Sequence, residues 1–137
     1  MIRYLAPLTG CLLAGCAAAA APPAGTQFDG TFAGEDTPIR GDGWVCGGTG
    51  YPLTLSVRDG RFDYPFPVNL ARTTPIAVQI AADGTFVRSV LYGSQAYTFL
   101  SPPRNDWLTI RGQIAGGTLD ATITTDRCTW RLTAQRS

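Results

Sequence analysis

The chain contains no histidine and no lysine; all eleven of its basic residues are arginine. Without an imidazole there is no His general base, no Ser-His or Cys-His nucleophile and no His-built metal site, and without a lysine amine there is no Schiff base. Carboxylate chemistry is thin as well, since Glu35 is the only glutamate among ten acidic residues. Eleven Arg against ten acids gives a net charge of +1, which excludes the basic footprint of nucleic-acid binding or of a polybasic membrane contact. Cys-x-x-Cys, a glycine-rich phosphate loop and an Asp-x-Asp-x-Asp calcium loop are all missing. No enzyme activity, cofactor or metal is expected. With 137 residues, 45% of them hydrophobic, and with 16 Gly and 10 Pro, the chain has room for one globular domain and not for two.

What is present begins with an address. Met1-Ile2-Arg3-Tyr4 carries one positive charge, and residues 5–13 are mostly apolar, too short to span a bilayer but the size of a signal-peptide core. This core runs into Leu13-Ala14-Gly15-Cys16, which resembles the lipobox of bacterial lipoproteins, in which the Cys becomes the first residue of the mature chain. Leu8-Thr9-Gly10-Cys11 matches the same pattern but would leave an apolar core of only about five residues, so Cys16 is the better site. Ordinary signal cleavage within residues 17–21 is the rival reading. The resemblance implies export, a lipid on Cys16 carrying three acyl chains, and anchoring in the cell envelope, at the outer membrane facing the periplasm; three chains hold where one is marginal. Residues 1–15 are then the signal peptide, the Ala- and Pro-rich residues 16–26 a tether, and 27–137 the domain.

Cysteine counting follows from this address. Cys11 leaves with the signal, Cys16 is lipidated, and Cys46 and Cys128 remain as an even pair in an oxidising compartment. A Cys46–Cys128 disulfide closes a loop of about eighty residues, for which chain entropy gives about 4 to 5 kcal/mol.

From Gln27 onward, short alternating runs bounded by Gly, Asp and Pro recur to the C-terminus with no 3.6-residue period, which predicts an all-β domain. A two-residue Asp59-Gly60 turn pairs Val57 with Phe62, Leu55 with Tyr64 and Leu53 with Phe66. A Gly116-Gly117 turn pairs Ile114 with Leu119, Gly112 with Ala121 and Ile110 with Ile123. A Thr125-Asp126 turn sets Ile123 against Cys128, Ala121 against Trp130 and Leu119 against Leu132, so all three hairpins agree on one apolar face. The turn at 82–84 admits two registers. A three-residue loop puts Arg88 opposite Val78 on the inner face, where a β-bulge turning it back to solvent is the bland resolution. A two-residue turn instead leaves Phe86, Val90 and Tyr92 outside as an aromatic stripe. Strands near 27–34, 51–58, 61–67, 75–81, 85–92, 106–115, 118–124 and 127–135 satisfy the parity that the disulfide demands. They make the first and last strands antiparallel, giving a small up-and-down barrel or meander of about eight strands with no exposed edge. Residues 96–100, a possible ninth strand, are read as part of an excursion over 93–105. The tight turns then share the end where the tether enters, and long connections at 35–50, 68–74 and 93–105 share the other end with the disulfide.

Long loops on a rigid scaffold are where binding resides. The first of them holds the candidate binding rim: Glu35, Asp36, Arg40, Asp42 and Trp44. Its carboxylates lack the spacing of a calcium or paired-acid site and are read as solvated charges. Arg40-Gly41-Asp42 matches the tripeptide of integrin ligands by chance, and Trp44 is either a binding aromatic or packing over the disulfide. Trp107 and Trp130 are read as structural. Arg88 is the candidate interior polar residue, with an anionic ligand as its most functional partner. The strand pattern resembles the small barrels of lipocalin-like and avidin-like proteins and of bacterial periplasmic metalloprotease inhibitors, without the lipocalin Gly-x-Trp entry. The function expected is a lipid-anchored envelope binding or interaction module whose distal loops meet an envelope protein or a small apolar ligand. The alternative is a structural envelope lipoprotein with a filled barrel and no dedicated ligand; a cavity favours the first, and a core packed shut leaves only surface contacts.

Overall fold

The computed structural model describes residues 23–41, 43–47, 49–69, 72–94 and 104–137. The lipobox region with Cys16, and residues Asp42 and 96–100, lie outside them. Eight antiparallel strands follow one another: β1 (Gly30–Arg40), β2 (Tyr51–Val57), β3 (Arg61–Asn69), β4 (Arg72–Gln79), β5 (Thr85–Ser94), β6 (Arg104–Ala115), β7 (Thr118–Thr124) and β8 (Thr129–Arg136). A single helical turn, α1 (Gly43–Cys46), precedes β2. Six strands form one curled sheet in the order β2-β1-β8-β7-β6-β5, and β3-β4 form a two-stranded ribbon across its open side. The first and last strands do pair, with Gly34 opposite Ala134 and Asp36 opposite Leu132. Gly34 permits this approach, because a Cβ there would lie 2.0 Å from the Thr133 carbonyl oxygen.

The alternation read from the sequence sorts side chains as expected. Phe62, Tyr64 and Phe66 of β3 are buried while Arg61 and Asp63 are exposed, and Leu119, Ala121 and Ile123 of β7 join one continuous core with Phe32, Leu108 and Leu132. Aromatic rings span the interior: Phe62 and Phe86 meet edge to face at 5.2 Å, and Phe66 sits 5.1 Å from Tyr92 and 6.2 Å from Trp130. The disulfide joins Cys46 to Cys128, with Cα atoms 5.6 Å apart.

The Gly116-Gly117 hairpin has the expected register, Ile114 opposite Leu119 and Ile110 opposite Ile123. The β7–β8 hairpin does not. Its loop is four residues, 125–128, and pairs Ile123 with Trp130 and Ala121 with Leu132. Thr125 is the reason: its hydroxyl accepts from the Cys128 amide at 3.0 Å and its own amide donates to the Cys128 carbonyl at 2.8 Å, closing a wider turn. The shift is two residues, so the faces survive.

Two seams replace the expected continuous closure. The Asp59-Gly60 turn forms, with φ of 53° and 69°, and Arg58 and Arg61 exchange backbone bonds at 2.9 and 3.1 Å. Beyond that bridge β2 and β3 separate, so the ladder pairs of Val57 with Phe62, Leu55 with Tyr64 and Leu53 with Phe66 do not form. Proline accounts for it. In the register begun by Arg58 and Arg61, the positions whose amides face across the seam include Pro52, Pro65 and Pro67, and proline has no amide to donate. At the second seam the three-residue loop is realised: Gly84 donates to Ala81 and Ala81 to Thr85 at 2.9 and 2.8 Å. There too β4 and β5 part after the first bond. Continuing would place Arg88 opposite Val78 on the inward side, and Pro75 would meet Leu91 without a donor. Burying an unpaired guanidinium costs several kcal/mol, so the strands splay instead.

The N-terminal segment closes the turn end of the barrel. The Asp29 carboxylate accepts from the amides of Asp59 and Gly60, each at 2.9 Å. Gln27 donates to the Ala82 carbonyl, and Gln79 donates to the carbonyls of Gly60 at 2.8 Å and Ala24 at 3.4 Å. Gly25 is buried, and Phe28 packs against the core beneath Gly84. Residues 24–26, at the end of the expected tether, are thus docked onto the barrel.

Candidate functional site

β1 is longer than the sequence suggested, and this redistributes the expected rim. Glu35, Asp36 and Arg40 lie within β1 and not in a loop, because pairing to both β2 and β8 holds the strand extended past Gly34. Glu35 and Arg40 are both exposed at the surface. Glu35 borders an open trough of about 720 Å³ on the outer face of β1, β2 and β8, with Thr37, Pro52 and Arg131. Arg131 is already held there by both carboxylate oxygens of Asp120, at 2.7 and 3.2 Å. Trp44 belongs to α1, which the disulfide fixes beside β8. Of the described rim side chains, Glu35 faces solvent and Asp36 turns inward, so these two do not share a site. Among the described residues no group of three or more His, Cys, Asp or Glu gathers as a metal site, and no helix is long and apolar enough to cross a membrane.

Asp36 points the other way. It is 1% exposed, and its Oδ2 accepts a hydrogen bond from the buried Tyr64 hydroxyl while Oδ1 has no partner among the described residues. Burial raises the Asp36 pKa above the ordinary carboxylate value, the Tyr64 hydrogen bond opposing it. Burial also raises the Tyr64 hydroxyl well above its usual value, with the nearby Asp36 charge adding to the effect. Asp36 and Tyr64 form a polar contact inside an apolar core, closed from solvent. Beside the disulfide, the Trp130 indole donates to the Cys46 carbonyl at 2.9 Å, so this tryptophan is structural as expected.

Arg88 is exposed, though not by a bulge. The β5–β6 register is unbroken from Thr85 opposite Gln113 to Ser94 opposite Arg104, and Arg88 keeps the inward phase of Phe86 and Val90. It reaches solvent because the β4–β5 seam beside it is open. It does not enter the interior, where the described apolar side chains form one continuous core.

Trp107, read from sequence as structural, is 63% exposed. It stands directly opposite Leu91 on the outer face of β5 and β6, with Leu91 55% and Val87 61% exposed nearby on β5. Arg111, opposite Val87, is exposed too. Neither Arg88 nor Arg111 makes an ion pair with a described residue. The sequence carried a signal for this face: Trp107, Thr109 and Arg111 alternate against the inward Leu108 and Ile110, so strict period-two phasing points the indole outward. Comparison with protein-family models, curated proteins and solved structures finds no match to the chain.

Proposed function

We propose that this chain is a lipid-anchored interaction module of the bacterial cell envelope, held in the outer membrane through Cys16 and meeting a protein partner through the outside of its barrel. The lipobox resemblance supports the anchor. The Cys46–Cys128 disulfide agrees with an oxidising compartment. Docking of residues 24–29 at the turn end supports a short tether that leaves the disulfide end and the β5–β6 face directed away from the lipid. The continuous core formed by the described apolar side chains speaks against a small apolar ligand inside the barrel, and it is common to the interaction reading and to a purely structural lipoprotein. The observation that favours interaction is the uncovered cross-strand pair of Leu91 and Trp107 on one outer face, with exposed Val87 beyond the Ser89–Thr109 pair and Arg111 opposite it without an ion-pair partner among the described residues. Large exposed apolar side chains grouped together mark contact sites more often than scattered ones do.

The test is recovery of a partner from detergent-solubilised envelopes by the full-length lipoprotein and by its Leu91→Arg/Trp107→Arg variant. A deletion across 35–50 would cut β1 and remove Cys46, so point substitutions are the usable control. The proposal expects a protein recovered by the wild type and lost by the variant. Equal recovery by both would move the contact off this face, and recovery by neither would favour the structural alternative.

A further inference from the structure

A free strand edge beside the exposed apolar group sharpens the interaction reading, on which this inference rests. β5 is an edge strand whose backbone groups alternate between β6 and the open seam. Ile114 donates to the Gly84 carbonyl, and Ala81 donates to the Thr85 carbonyl. The amides of Phe86, Arg88 and Val90 therefore face β6, and those of Val87, Ser89 and Leu91 face β4 across the seam. No described residue accepts from these three amides, since β4 pairs only with β3. A row of unpaired amides and carbonyls on a strand of ten residues is a template for another strand.

We infer that the free edge of β5 accepts an extended segment of a partner protein as an added antiparallel strand, and that this segment carries an acidic residue opposite Arg88. Three features select that occupant. Strand addition satisfies the seam-facing amides of Val87, Ser89 and Leu91. Arg88 stands exposed along the same edge with no acid among the described residues to neutralise it, so a carboxylate in the added strand supplies the missing charge. Leu91, Val87 and Trp107 offer apolar ground for alternate side chains on the outer face. A second copy of this chain is disfavoured by the same arginine. Antiparallel pairing of two β5 edges about Ser89 sets each Arg88 opposite Val90 of the other copy and diagonal to its Arg88, a like-charge contact.

The experiment uses the mature lipoprotein in detergent and a synthetic nine-residue peptide of alternating Thr and Val with a central Glu. Two controls accompany it, the same peptide with Lys for Glu, and the Glu peptide N-methylated at alternate amides so that it cannot form a ladder. Amide hydrogen exchange read by NMR is the decisive signal. In the free protein Val87, Ser89 and Leu91 exchange fast, and saturating Glu peptide slows them by about tenfold or more while Phe86, Arg88 and Val90 stay unchanged. The N-methylated peptide gives no protection, and the Lys peptide or the exposed-site variant Arg88→Gln weakens binding by about fivefold or more. Absence of alternate protection with any acidic peptide overturns the inference. Protection that grows with protein concentration alone, together with dimer in sedimentation, assigns the edge to a second copy and overturns it too. If Trp107→Arg abolishes recovery of the envelope partner but no peptide protects these amides, the interaction reading stands and strand addition falls.

Discussion

Replacing Asp36 by asparagine tests the interior most sharply, because the two side chains share a shape and only one titrates. Asp36 is 1% exposed, bonded to Tyr64 through Oδ2 and unpartnered at Oδ1 among the described residues, and burial raises its pKa above the ordinary 3.8. The folded state therefore holds a proton that the unfolded chain releases at lower pH. Its stabilising contribution is complete below the ordinary value and is lost as pH rises through the raised folded value. Each unit of that elevation removes about 1.4 kcal/mol of stability from the wild type. The Asp36→Asn side chain keeps an acceptor for the Tyr64 hydroxyl but adds an amide group without a partner, a fixed cost of about 1 to 3 kcal/mol. The variant should start less stable at about pH 3.5 and close the gap as pH rises, at up to about 1.4 kcal/mol per pH unit, until the wild-type acid has ionised. Urea denaturation followed by Trp fluorescence across this range reads the difference directly. Tyr64→Phe should extend the wild-type decline to higher pH, since the hydrogen bond that lowers the Asp36 pKa is gone. A difference between wild type and Asp36→Asn that stays constant from acid to neutral pH would refute the desolvation of Asp36 in the fold.

Four further outcomes are expected. Reduction of the Cys46–Cys128 bridge, which spans 82 residues, should lower stability by up to about 4.5 kcal/mol on chain entropy alone, measured by denaturation with and without reductant. Asp29→Ala removes the acceptor for the amides of Asp59 and Gly60 and should cost about 1 to 2 kcal/mol, with faster exchange at those two amides as the specific sign. Gly34→Ala drives a Cβ against the Thr133 carbonyl at 2.0 Å and should destabilise by about 1 to 3 kcal/mol, read as a lower denaturation midpoint. Cys16→Ser should abolish acyl labelling in cells, and detergent partition unchanged from wild type would sink the lipid anchor.

Much of the architecture was legible in the sequence because it rests on local chemistry. Asp59-Gly60 and Gly116-Gly117 mark turns, and period-two phasing sorts inner from outer residues. The disulfide parity brings β1 beside β8. The seams were also written in the chain, in Pro52, Pro65, Pro67 and Pro75, but proline blocks a ladder only on the edge its missing amide would have faced. Deciding which edge requires the register first. Asp36 was misplaced for a different reason: a carboxylate reads as solvated unless a partner is known, and Tyr64 lies 28 residues away on another strand. The four-residue loop at 125–128 depended on one threonine hydroxyl reaching back to the Cys128 amide. Of the candidate site, the outward phase of Trp107 was readable and the open seam that frees Arg88 was not, because splaying is a collective choice between burying a guanidinium and leaving two strands unpaired.

Photo-crosslinking in intact cells tests most directly the proposal that the domain meets a protein through the β5–β6 outer face. A photoreactive residue is placed at position 107 and, as a control, at position 54, where Thr54 lies on the exposed side of β2. A contact through this face predicts one discrete protein adduct from position 107 and none from 54. Comparable adducts from both positions, or none at 107 while the protein is acylated and disulfide-bonded, would contradict it.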